Sequence, residues 1–136
     1  MRLVLDTNVL VAAFATQGQC YRLLRHCVKN HSLVTSAFLL QELESKLLRK
    51  IKIAPDDVEA IMSAVRSYSK VVVPEPLAVP VCRDPDDDWV LATAVTGQCR
   101  CIVTGDRDLL VLRRHDAIDI VSPAEFWRLE DENAKD

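Results

Sequence analysis

No apolar run in this sequence approaches the length of about 20 residues that a membrane-spanning helix needs. The opening MRLVLDTN carries an apolar stretch too short for a signal peptide. There is no Cys-x-x-Cys, and no Cys/His pair has the spacing usual for zinc, so a zinc centre is disfavoured. The five cysteines, Cys20, Cys27, Cys82, Cys99 and Cys101, are odd in number and are expected to be reduced thiols, mostly buried, in a cytoplasmic protein. His26, His31 and His115 are scattered and are expected to be surface or satisfied residues, not ligands. Internal repeats, low-complexity segments and linkers are absent. So is an excess of positive charge: the net charge of −3 gives no overall steering towards nucleic acid. A bound cation can still recruit a phosphate locally.

What is there reads as one domain of 136 residues, long enough to bury a substantial core. Charged residues at 27% and hydrophobic residues at 49% indicate a globular chain. RLVL (2–5), SLVTS (32–36), KVVV (70–73), CIVT (101–104) and IDIV (118–121) read as short strands. Between them lie helical segments. The strongest is SAFLLQELESKLLRKIK, with Leu39, Leu43 and Leu47 in one row, Leu40 and Ile51 beside it, and Ser36 as cap. Pro55 opens another helix with acids in its first turn, and Ser122-Pro123 opens the last. Strand and helix alternate throughout, which predicts an α/β fold with a parallel sheet covered on both faces. Residues 131–136 read as a polar, frayed tail.

The acids are distributed unevenly. Asp6 ends the first strand, and Asp106 follows CIVT by one glycine. Ligands in open α/β sheets gather outside the carboxyl ends of the strands, so these two become neighbours if their strands pair. Between them, CRDPDDDWVLATA holds four aspartates in five positions. Asp84-Pro85 has the form of an N-cap followed by proline at the first helical position. Asp86 and Asp87 fit the first turn, where the helix dipole favours negative charge by roughly 0.3–1 kcal/mol each. Asp88, grouped with Ala92 and Val95, is expected to face the sheet, with Asp84 one turn earlier as a helper. Glu42 lies at the edge of the apolar stripe of its helix; a site acid, a solvated flank and a pair with Lys46 at i+4 all suit it. Strand-end carboxylates without an obvious basic partner suggest Mg²⁺, with Mn²⁺ tolerated. Such ions polarise a phosphodiester and activate water, which points to phosphodiester hydrolysis with water as nucleophile.

Four segments, LDTNVLVAA, TSAFLLQELESKL, DPDDDWVLATAV and IVTGDRDLL, resemble in order and spacing the signature segments of PIN-domain ribonucleases, and they span nearly the whole chain. The likeness is to the single-domain bacterial and archaeal type akin to VapC toxins of toxin–antitoxin pairs. The resemblance implies a three-layer α/β/α fold with a parallel sheet of about five strands, a single PIN domain over 1–130, and Mg²⁺- or Mn²⁺-dependent endoribonuclease activity. It implies Asp6, Glu42, Asp88 and Asp106 as catalytic and metal-binding acids. Asn8 would orient Asp6 or a water, Thr104 would hydrogen-bond near the site, and Asp108 matches a further acid. It also implies an RNA substrate, a cognate antitoxin and a homodimer. The basic residues of LLRKIK (47–52), with Arg22, Arg25 and Lys29, suit either RNA backbone or a solvated helix face.

Two other folds place an aspartate at a strand end. A haloacid-dehalogenase-type phosphatase needs a second aspartate two residues on, where this chain has Asn8. A response-regulator receiver needs one at the end of the third strand, where KVVV runs into Pro74. The alternative of another class is a non-catalytic PIN-like module that binds RNA or a protein.

Overall fold

The computed structural model describes residues 1–135, and the side chains of residues 1–133. Six strands form one sheet: β1 (Arg2–Leu5), β2 (Ser32–Ser36), β3 (Ser69–Val72), β4 (Cys101–Val103), β5 (Arg114–His115) and β6 (Ile118–Val121), in the order β3-β2-β1-β4-β6-β5. Five of them run parallel, as expected. The sixth, β5, pairs antiparallel with β6 at the edge; its two residues are too short a run to show in the sequence pattern. β1 pairs on one side with β2 and on the other with β4, with Leu5 opposite Val103. The strand order therefore reverses at β1/β4, which opens a crevice between their carboxyl ends.

The helices among the described residues are α1 (Thr7–Ala15), α2 (Gln19–Asn30), α3 (Ala37–Arg49), α4 (Pro55–Ser67), α5 (Pro85–Thr96), α6 (Arg107–Leu110) and α7 (Pro123–Lys135). Alternation along β1 divides the core in two. Leu3 and Leu5 face a cluster with Leu10, Leu23, Leu43, Leu47, Met62 and Phe126, built on α1, α2, α3, α4 and α7. Val4 faces the opposite cluster, with Val90, Leu91, Ala94 and Leu109 from α5 and α6. This is the three-layer α/β/α arrangement.

Local chemistry sets the helix starts. Ser36 Oγ accepts from the Leu39 N–H at 3.5 Å. Ser122 and Glu125 form a reciprocal capping box, with bonds of 3.2 and 3.1 Å. Two expectations change. The helix α3 ends at Arg49, so Ile51 lies beyond it and is exposed instead of flanking the leucine row. The last helix continues to Lys135, so the segment read as a tail from residue 131 is helical through that residue; Asp136 lies outside the described residues.

Candidate active site

The pairing of β1 with β4 brings Asp6 and Asp106 to the same end of the sheet, each as the N-cap of the helix that follows. Asp6 is 5% exposed and both its oxygens are used. Oδ1 accepts from the Thr7 N–H at 2.8 Å and Oδ2 from the Thr104 hydroxyl at 2.7 Å. Thr104 Oγ1 in turn accepts from the Asp106 N–H at 3.0 Å, so one buried threonine fixes the two acids relative to each other. Burial pushes the Asp6 carboxyl above its ordinary range, against the opposing hydrogen bonds from Thr104 and Thr7. Asp106 Oδ1 accepts from the Asp108 N–H at 2.9 Å.

Glu42 reaches the same end from α3, where its Oε1 accepts from the Thr7 hydroxyl at 3.2 Å. Burial raises its carboxyl also, opposed by the neighbouring Lys46 charge and the Thr7 bond. Lys46, weighed from the sequence only as a partner of Glu42, donates from its Nζ to Asn8 Oδ1 at 3.0 Å. Asn8 is exposed and engaged by that lysine; no hydrogen bond joins it to Asp6. Arg83 Nη2 donates to Asp108 Oδ2 at 3.0 Å.

The third acid differs from the expectation. The Asp88 side chain turns to the preceding loop, where its oxygens accept from the Val81 N–H at 3.3 Å and the Cys82 N–H at 2.7 Å. Burial acts to raise its carboxyl, but the Cys82 and Val81 hydrogen bonds prevail and hold it below the ordinary range. Asp88 is a loop anchor. The acid that faces the crevice is Asp87, at 8% exposure. Its oxygen Oδ2 is the buried side-chain polar atom without a hydrogen-bond partner among the described residues. Burial first, then the adjacent Asp106 charge, pushes its carboxyl up to about 7, with smaller contributions from Asp84 and Asp6.

The reason is helical geometry. Asp87, Val90, Leu91 and Ala94 follow the i, i+3, i+4, i+7 spacing, and the last three are at most 2% exposed. The row Asp88, Ala92, Val95 ends on a valine that is 42% exposed, so it is not the inward face. The signal for Asp87 is in the sequence, one residue before the row of Asp88, Ala92 and Val95. Asp84 takes the predicted N-cap role, its Oδ1 accepting from the Asp86 N–H at 2.9 Å, and Asp86 is exposed in the first turn.

One oxygen each from Asp87, Asp106 and Asp108 lies within 4.8 Å of the others. An all-carboxylate set with a buried unpartnered oxygen and a like-charge penalty suits a hard divalent cation. These residues fit such an ion.

The chain matches the family described as "PIN domain" over residues 2–108. It belongs to the PIN-domain family. This PIN domain is also similar in fold to solved structures. VapBC2 from Rickettsia felis, bound to a DNA fragment from its promoter, aligns with a TM-score of 0.62 at 15% identity, covering 90% of this chain and 98% of that one. VapBC-1 from nontypeable Haemophilus influenzae gives 0.61 at 14% identity, with 91% and 99% covered. VapC20 from Mycobacterium tuberculosis, described as a toxin that cleaves the sarcin–ricin loop, gives 0.57 at 15% identity, with 86% and 98% covered. No curated protein sequence matches this PIN domain. No helix among the described residues is long and apolar enough to cross a membrane.

Proposed function

We propose that this PIN domain is a metal-dependent endoribonuclease whose site is Asp6, Glu42, Asp87 and Asp106, with Asp108 and the Asp84 cap at its rim. The observation that carries this reading is the convergence of Asp6, Asp87 and Asp106 at the β1/β4 crevice, with Asp87 Oδ2 buried and unpartnered. Asp87 replaces Asp88 in the set expected from the sequence. The family membership and the fold of the VapC structures support the same chemistry.

Asp87, Asp106 and Asp108 would hold the ion, Mg²⁺ or in its place Mn²⁺, with Asp6 and Glu42 completing the acidic wall. When bound, the ion polarises the scissile phosphodiester and lowers the pKa of an attacking water. The chain's own contribution is positional. Thr104 and the Thr7 N–H hold Asp6 in one rotamer, and the Thr7 hydroxyl orients Glu42. Without an ion, burial and the adjacent Asp106 charge hold the Asp87 carboxyl partly protonated near neutral pH, and ion binding would displace that proton. Lys46 and Arg83 stand at the rim as cations for the RNA phosphates.

The likeness in fold to the VapBC structures supports a toxin role with a protein antitoxin, and a homodimer in the cytoplasm belongs to the same proposal. Cleavage of RNA with and without Mn²⁺, by the parent and by Asp106→Asn, tests the activity. Metal-independent cleavage, or equal activity of the variant, contradicts it.

A further inference from the structure

At the opposite end of the sheet, where the strands begin, a second set of ligand-type side chains converges. His26 lies in the last turns of α2, His31 is that helix's C-cap, and Glu130 projects from α7. A five-residue spacing places two histidines on different sides of a continuous helix. Here the chain leaves the helix at His31, with φ −135° and ψ 176°, and the extended backbone returns the second imidazole to the first. The two ring centroids are 5.7 Å apart.

We propose that His26 Nε2, His31 Nε2 and Glu130 Oε1 form a zinc site that ties α7 to α2. The three atoms lie within 4.8 Å of one another, and one carboxylate oxygen serves both Nε2 atoms, at 2.9 Å from His26 and in close contact with His31. Two imidazoles and a glutamate are an established zinc donor set, with bonds of about 2.0–2.2 Å. Ligand atoms around such an ion stand roughly 3.0–3.5 Å apart, so Glu130 needs to withdraw slightly from His31. Its position on the surface of α7 allows that. The side chains of His26, His31 and Glu130 are 30%, 11% and 16% exposed, which leaves one side open to the ion and to a water as fourth ligand.

The surroundings complete the site. The buried Phe126 ring lies edge-on to both imidazoles, and Trp127 packs on His26 with centroids 4.8 Å apart. This apolar wall strengthens the charge interactions inside it. Nearby Cys27 is fully buried. Binding through Nε2 leaves each imidazole its proton at Nδ1. The Asn30 amide nitrogen lies 3.3 Å from His26 Nδ1 and donates to the His26 carbonyl at 2.9 Å, so its oxygen serves Nδ1 only after a rotation that gives up that bond. The Met1 nitrogen, 3.0 Å from His31 Nδ1, has to yield its present donor role.

The test is a Zn²⁺ titration of the full chain carrying Asp6→Asn and Asp106→Asn, so that the acidic crevice does not compete. Melting temperature and competition with a chromophoric chelator are the readouts. One Zn²⁺ per chain at micromolar metal, with a rise in melting temperature, is expected. Adding His26→Gln or Glu130→Gln should weaken binding by at least about tenfold, no less than the loss of an outer-shell partner costs. A variant that folds poorly is bypassed by the Co²⁺ spectrum of the protein with both histidines intact. Visible bands of nitrogen and oxygen ligation, without thiolate charge transfer, support the site. Thiolate bands, no stoichiometric binding at micromolar Zn²⁺, or binding indifferent to both substitutions overturn it.

Discussion

Replacing Asp87 by Asn should stabilise the protein without metal at pH 8. The carboxylate is buried, its Oδ2 has no partner, and Asp106 stands beside it. A folded value of about 7 against about 3.9 in the unfolded chain is roughly three units, or about 4 kcal/mol of penalty for the ionised form. That is an upper bound, because the repulsion is shared with Asp106 and water enters the crevice. Asn has the same shape and no charge, so the repulsion from Asp106 is removed. A gain of about 2 kcal/mol is expected, which for a chain of this size is roughly 6–10 °C in melting temperature. The sign follows from proton linkage. The folded state binds the Asp87 proton more tightly than the unfolded chain, so the parent gains stability as pH falls from about 7 towards 4. The variant's advantage should therefore be full at pH 8, clearly smaller at pH 5, and gone only as pH falls below about 4. Melting curves in metal-free buffer at the two pH values measure it. A variant that melts at or below the parent at pH 8 would refute the buried-charge account.

Mn²⁺ at a hundredfold excess over its Kd should stabilise the folded parent by about 2.7 kcal/mol at pH 7.5, with a smaller effect at pH 5, where the proton on Asp87 competes; equal melting shifts at both pH values would count against Asp87 as a ligand. Asp88→Ala should cost about 1–2 kcal/mol in urea unfolding at pH 7, because it strips the acceptor from the Val81 and Cys82 N–H groups. Since the folded Asp88 carboxyl is held low, that cost is present above its ordinary range and fades as pH falls through it; a cost that grows with acid would contradict the loop-anchor role. Thiol titration under denaturing conditions should find all five cysteines free, and fewer would point to a disulfide.

The fold was legible because its signals are local. Apolar runs mark β1, β2, β4 and β6, and Ser36, Asp84 and Ser122 cap their helices as their positions predict. The pairing of β1 with β4 was inferred only conditionally, yet it is what joins Asp6 to Asp106. The error at Asp88 has a definite cause. The helix α5 is buried on most sides, so its apolar residues fit more than one row, and only the exposure of Val95 separates them. The contacts of Lys46 with Asn8 and of Arg83 with Asp108 are made across the fold, so sequence spacing does not show them. His26 and His31 escaped for a related reason: their approach depends on the turn that ends α2, which no helical spacing encodes.

The most direct test of the account compares Asp87→Asn with Asp88→Asn in Mn²⁺-dependent cleavage of RNA. Asp87→Asn should reduce the cleavage rate by at least about a hundredfold, the equivalent of roughly 2.7 kcal/mol in the barrier, while remaining as stable as the parent or more so. Asp88→Asn keeps an acceptor for the Cys82 N–H and should cleave at close to the parent rate. An inactive Asp88→Asn beside an active Asp87→Asn would contradict the site described here.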